Sequence, residues 1–216
     1  MKVFVAGASG RVGQDLVKDL VAAGHEVMAG SRHPVEPSPE GVTPVELDLH
    51  ASDADLADAV EGADAVYFVA GSRGKDLLQT DLFGAVKLMN AAQIDGIRRF
   101  VLLSSMFADE PQRWDDPALK DITDYNIAKF FADQWLMDNT DLDWTIVQPG
   151  NLVEGAEGSG KVDLDPLHST PNSIPNVAAV LAGVLDRPNT YGHIIMMPDG
   201  DTPIADALDA VGHVQI

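Results

Sequence analysis

The chain has 216 residues, 45% of them apolar, and carries 34 acidic against 14 basic side chains for a formal charge of −20. That length suits one α/β domain with a sizeable core, and so large a negative charge argues against nucleic acid or an anionic membrane surface as partner. The lack of cysteine excludes disulfides, a thiol nucleophile and a thiolate metal site. The six histidines (His25, His33, His50, His168, His193, His213) are scattered without metal-ligand spacing, so no metal is expected. No apolar run reaches the roughly 18 residues of a membrane span. Met1 stands one residue before the first strand and leaves no room for a signal peptide, so a cytoplasmic location is expected. The excess of aspartate with few lysines also suggests adaptation to high salt.

In chain order, Lys2-Val3-Phe4-Val5-Ala6 reads as a buried strand, followed by Gly7-Ala8-Ser9-Gly10-Arg11-Val12-Gly13 and a helix marked by Leu16, Val17, Leu20 and Val21. Strand, glycine turn and helix together form the geometry that binds a dinucleotide pyrophosphate. A side chain at Gly7 would crowd the turn, one at Gly10 would obstruct the diphosphate, and Gly13 lets helix and strand approach closely. Ser9, Arg11 and Val12 complete the stretch whose free N–H groups and helix dipole favour phosphate. A second strand, His25 to Gly30, leads into Ser31-Arg32. A carboxylate at this strand end would hold the ribose hydroxyls of NAD. An arginine there suits a ribose 2′-phosphate instead. The cofactor expected is therefore NADP(H), with NAD(H) as the alternative, Ser31 and Arg32 as the phosphate site and Arg11 as a helper.

After a proline-rich loop, Pro34 to Pro39, the strand Thr43 to Leu49 carries Asp48-Leu49. A helix follows with Leu56, Ala59 and Val60 inward and Ser52 or Asp53 as N-cap. Ala63 to Gly71 is a fourth strand, apolar as for a strand covered on both faces, with Ala70-Gly71 at its ligand-binding carboxyl end. A long helix, Asp76 to Asp95, has Leu77, Leu78, Leu82, Val86, Met89 and Ala92 as its stripe. Ile97 to Leu103 is the fifth strand, ending in Ser104-Ser105. Residues 106–121 are irregular. Ile122 to Asn139 is helical, with Ile127, Phe130, Phe131, Trp135 and Leu136 as its buried set. Asp143 to Gln148 is the sixth strand, stopped by Pro149-Gly150. Residues 151–171 are loop-like, Pro175 to Leu185 helical, Tyr191 to Met197 a seventh strand, and Ala205 to Val211 a closing helix. No repeat or linker divides residues 1–216. The fold expected is α/β: a doubly wound parallel sheet in three αβα layers, the Rossmann fold, with a short C-terminal substrate cap.

Tyr125 and Lys129, four apart on a predicted helix, share one face. A phenol with pKa near 10 is a weak base at neutral pH, and a nearby ammonium favours the phenolate. The same ammonium can hold a nicotinamide ribose, and a serine hydroxyl can fix a substrate oxygen while a proton moves with the cofactor's hydride.

The G-x-x-G-x-x-G spacing resembles the short-chain dehydrogenase/reductase superfamily in its extended and atypical branches, and the resemblance runs along nearly the whole chain. It implies a Ser-Tyr-Lys triad of Ser105, with Ser104 in reserve, Tyr125 and Lys129. It implies adenine contact from Asp48 and Leu49, a cofactor wall at Ala70 and Gly71, and nicotinamide-side contact from Pro149 and Gly150. Relatives often place an arginine before that Pro-Gly; here it is Gln148. Only about 65 residues follow Gly150, short for a separate lobe. A small carbonyl, quinone or flavin-like substrate therefore fits better than a nucleotide sugar, in a pocket lined by 106–121 and 151–172. The function expected is an NADP(H)-dependent oxidoreductase, monomeric or homodimeric. Its rivals are a non-catalytic NADP(H)-binding redox sensor, as in NmrA-like proteins, and an NAD(P)-dependent epimerase or dehydratase.

Overall fold

The computed structural model describes residues 1–34, 36–166 and 168–212; His213 and Leu167, within the second loop, lie outside them. The strands are β1 (Lys2–Ala6), β2 (Glu26–Ser31), β3 (Val42–Glu46), β4 (Ala65–Phe68), β5 (Arg99–Leu103), β6 (Asp143–Gln148), β7 (Leu152–Val153), β8 (Lys161–Val162), β9 (Asn172–Ser173), β10 (His193–Met196) and β11 (Thr202–Pro203). The helices are α1 (Arg11–Ala22), α2 (Asp53–Val60), α3 (Gly84–Ile94), α4 (Thr123–Asn139), α5 (Ile174–Gly183) and α6 (Ile204–Ala210). Among the described residues no helix is long and apolar enough to cross a membrane.

Seven strands form one sheet in the order β10-β6-β5-β4-β1-β2-β3, with every pair parallel. Parallel neighbours need crossovers, and the helices that supply them cover both faces. The period of two along β1 assigns its side chains to two cores. Val3 and Val5 join Leu16, Leu20, Val177 and Leu208 under α1, α5 and α6. Phe4 and Ala6 join Phe68, Leu88, Met89 and Leu136 under α2, α3 and α4. This is the three-layer Rossmann arrangement expected from the strand and helix pattern. Ser52 caps α2, its Oγ accepting the Asp55 N–H while Asp55 answers to the Ser52 N–H.

Three expectations need correction. The long helix begins in a π-helical stretch, Leu77–Phe83, before it becomes regular at Gly84. The wider turn rotates the apolar stripe, so Leu78 is left exposed while Asp81 is buried. Two two-residue strands, β7 and β8, organise the segment 151–171 expected to be wholly loop-like, and β9 follows directly after it. The inner face of α4 is also not the aromatic one. Ile127, Phe131 and Trp135 are 37%, 55% and 40% exposed, whereas Asn126, Ala128, Lys129, Ala132, Asp133 and Leu136 are buried. Small residues let α4 sit close against the sheet. Phe130 instead stacks edge-on with Trp114, 5.9 Å between centroids.

Candidate active site

The chain leaves β1 toward β2 and β3 on one side and returns through β4 on the other, so the carboxyl ends of β1 and β4 flank the topological switch point. Gly7, at φ +91°, sits there so tightly that a Cβ would lie 2.6 Å from the Cα and N of Ala70. Across the turn, a Cβ on Gly13 would lie 2.1 Å from the Gly7 carbonyl oxygen. The wall of this crevice is therefore backbone. Helix α1 opens at Gly10 with no side-chain cap and no acidic residue in its first turn. Its first N–H groups stay available to an anion, in contrast to the self-capped α2.

Two adjoining cavities flank the glycine turn. One, of about 380 Å³, is lined by Gly7, Ser9, Gly10, Ser31, Arg32, Asp48, Leu49, Ala70 and Gly71. Arg32 forms no ion pair among the described residues. The other, of about 360 Å³, is lined by Gly10, Arg11, Val12, Ala70, Gly71, Ser104, Ser105, Tyr125, Lys129, Pro149 and Gly150. Met106, Ala118 and Leu119 from one expected loop, and Asn151, Leu152 and Ser169 from the other, also face it. Of the residues singled out from sequence, only Gly13 lines neither cavity; it serves the close packing of α1 on the turn. Arg11 lies in the second cavity, away from Arg32, with its guanidinium 2.7 Å from Glu154. Five cationic side chains (Arg11, Arg32, Arg73, Lys75, Lys129) and three carboxylates (Asp48, Asp76, Asp81) line the two cavities. The chain as a whole carries 14 to 34, so the cleft reverses the overall charge and suits an anionic ligand.

The second cavity takes its shape from α4 seated on the end of β5. Beyond the strands, Ser104 N–H donates to the Val147 carbonyl at 2.8 Å and Met106 N–H to the Pro149 carbonyl at 3.0 Å. These bonds hold Ser104-Ser105 beside Pro149-Gly150. Asn126, Lys129 and Asp133 fall at i, i+3 and i+7 on one face of α4 and grip three successive residues. Lys129 Nζ donates to the Leu103 carbonyl at 2.9 Å, Ser104 Oγ to Asp133 Oδ2 at 2.7 Å, and Ser105 Oγ to Asn126 Oδ1 at 2.9 Å. Gln148 Nε2 closes the network with bonds to Asp109 and Asp133. The residue that replaces the relatives' arginine is thus a buried partner of Asp133. Sequence reasoning assigned no role to Asn126, Asp133 or Gln148. The available signal was a polar i, i+3, i+7 stripe inside a helix otherwise marked by aromatics.

The Lys129 ammonium lies 5.6 Å from the Tyr125 ring centroid. It pulls the phenol's pKa down, but burial outweighs it, and Asp81 and Asp133 push the same way as burial, so the phenol sits above its ordinary value of 10. The net lowering expected from the Tyr-Lys spacing is therefore reversed: the group is a proton-holding acid at neutral pH. Burial likewise raises the Asp133 carboxyl to about 7, against the hydrogen bond from Ser104, the Lys129 ammonium and the bond from Gln148. Phe107, just past the serines, adopts φ +60°, and strained backbone of this kind gathers at functional sites. Together, a backbone-lined slot, a cationic cleft, a half-buried phenol and a buried ammonium and hydroxyl can hold a dinucleotide and deliver a proton beside it.

Comparison with known proteins bears on the dinucleotide. The sequence pattern of a family described as NAD(P)H-binding matches residues 7–188. The chain is similar to the uncharacterized sugar epimerase YhfK of Bacillus subtilis, 36% identical over 96% of this chain and 99% of that one. Among solved structures it is similar to the oxidoreductase ylbE of Lactococcus lactis, with TM-score 0.94, 39% identity and coverage of 98% and 96%. An anaerobilin reductase of Escherichia coli, ChuY, shares the fold at TM-score 0.79 and 22% identity, over 93% and 98% of the two chains.

Proposed function

The chain belongs to the NAD(P)H-binding oxidoreductase/epimerase family, within the atypical short-chain dehydrogenase/reductase superfamily, and from that premise we propose that it is an NADP(H)-dependent reductase of a small carbonyl, quinone or flavin-like substrate. The observation that carries the reading is the meeting of Ser105, Tyr125 and Lys129 with Pro149-Gly150 in the cavity that adjoins the glycine turn. The residues fit the cofactor: the wall of Gly7, Ala70 and Gly71, with no side chain larger than a methyl group, admits a pyrophosphate. Arg32 and Ser31 would hold the 2′-phosphate, Asp48 and Leu49 the adenine, Lys129 the ribose near the nicotinamide, and the backbone of Pro149-Gly150 the ring's carboxamide side. When bound, NADPH supplies the hydride. Ser105 holds the substrate oxygen, and Tyr125, protonated because burial dominates its environment, gives that oxygen its proton as the carbonyl becomes an alcohol. Lys129 then stabilises the phenolate left behind.

The name of the B. subtilis relative favours a second reading, an epimerase in which the cofactor is reduced and reoxidised in place. That cycle begins with a deprotonated phenol, which the environment of Tyr125 disfavours. The test is NADPH consumption with diacetyl, menadione and FMN, with Tyr125→Phe alongside. Loss of general-acid catalysis should lower kcat by about 10²–10⁴-fold. Undiminished turnover in the variant would remove Tyr125 from the mechanism. Tight cofactor retention without net consumption would favour the epimerase.

A further inference from the structure

The bond between Ser105 and Asn126 contains a mismatch. Ser105 Oγ donates to Asn126 Oδ1, so its one hydrogen is committed to the protein and its oxygen can only accept from the cavity it lines. Asn126 is fully buried, and its Nδ2 has no acceptor. A buried N–H without a partner is rarer and costlier than an unpaired carbonyl oxygen. The two ends of a carboxamide are alike in size, so the same pocket holds the side chain turned half a revolution about its last bond. Turned, Nδ2 donates to Ser105 Oγ, the orphaned donor is satisfied, and the Ser105 hydrogen is released into the cavity.

Ser104 lacks that freedom once Asp133 is ionised, above about pH 7: its hydroxyl donates to the carboxylate, whose two oxygens then both accept. In that range only the serine backed by an amide can change from acceptor to donor. We propose that Asn126 is a positioning residue that sets the polarity of Ser105: with its nitrogen toward Ser105 the serine donates to a substrate carbonyl, and with its oxygen toward Ser105 it can only accept. This rests on the reading of Ser105 as the hydroxyl that holds the substrate oxygen.

The test uses the full chain with NADPH and diacetyl as the probe. In Asn126→Asp an ionised carboxylate can only accept, so the Ser105 hydrogen stays committed, and kcat at pH 8 should fall about 10²-fold, the cost of losing one donor to a developing oxyanion. Activity should return as the pH is lowered, because a protonated carboxyl can donate to Ser105. Asn126→Leu neither donates nor accepts and leaves Ser105 free, so it should cost less than Asn126→Asp at pH 8. In a Ser105→Ala background, Asn126→Asp should add less than about threefold, since the two residues act as a unit. Equal activity of Asn126→Asp and the parent at pH 8, a larger loss in Asn126→Leu, or multiplicative effects with Ser105→Ala would each overturn the inference. If Ser105→Ala itself kept full turnover, the role of Ser105 would fall first. A neutron structure of the NADPH complex reads the orientation without turnover. Deuterium on the Asn126 atom facing Ser105 is the expected result, and an oxygen there would overturn the proposal.

Discussion

Gly7 and Gly24 both hold positive φ, +91° and +87°, yet only one of them is crowded. A Cβ at Gly24 meets nothing within 4 Å, whereas one at Gly7 lies 2.6 Å from the backbone of Ala70. Alanine at either site carries the left-handed penalty of about 1–2 kcal/mol. It also regains roughly 0.4–1 kcal/mol through the unfolded chain. Only Gly7→Ala must in addition part the ends of β1 and β4, an overpacking cost of about 1–3 kcal/mol. The difference between the two variants isolates that clash. For a chain of this size each kcal/mol moves Tm by about 2–4 °C, so Gly7→Ala should melt roughly 2–12 °C below Gly24→Ala. Far-UV circular dichroism melts, with urea titrations to check that the m-value is unchanged, measure this directly. Gly7→Ala should also weaken NADPH binding, and Gly24→Ala should not. Equal midpoints would refute the claim that Gly7 is required by close approach to Ala70 rather than by its backbone angle.

Asp133 makes stability depend on pH. Its folded pKa of about 7 exceeds its ordinary 3.8, so the folded chain binds the extra proton, and stability falls as pH rises from about 4 to 7. Asp133→Asn, which still accepts from Ser104, should therefore gain on the parent steadily across that window in urea titrations; a constant difference would remove Asp133 as the cause. Arg32→Ala should weaken NADPH binding about 10–100-fold, the worth of charge-assisted hydrogen bonds, and leave NADH binding unchanged in fluorescence titrations. Equal losses for both would assign the 2′ site elsewhere. Phe131→Ser should shift stability by no more than about 0.5 kcal/mol, whereas Leu136→Ala should cost roughly 2–5 kcal/mol; the reverse order would place the aromatic face of α4 inward. Because Tyr125 acts as an acid held above the ordinary phenol value, kcat/KM for reduction should stay level through pH 9 and fall only beyond it. An alkaline fall centred near neutrality would contradict the burial argument.

The alternation of strands and helices, and with it a doubly wound parallel sheet, was legible in the chain; the strand order came from the structure. Apolar runs in β1, β4 and β5, and glycine at residues 7, 10 and 13, are local patterns whose physical causes are local too. That the residues chosen as cofactor and triad candidates gather around two adjoining cavities was also legible, because turn geometry and i, i+4 spacing depend on few residues. Which face of α4 points inward was not. Hydrophobicity alone favoured Ile127, Phe131 and Trp135. The sheet instead accepts a face of alanines with Asn126, Lys129 and Asp133, because those side chains satisfy the groups at the end of β5. The direction of the Tyr125 shift was also beyond the sequence: spacing brings an ammonium near, while burial, which only the assembled chain creates, decides the sign. Sequence alone determined what is set by neighbours along the chain, namely strands, crossovers and the glycine turn. Tertiary structure decided what depends on how much water is excluded and on which distant groups meet: the buried polar stripe of α4, the cationic cleft in an acidic protein, and a phenol that keeps its proton.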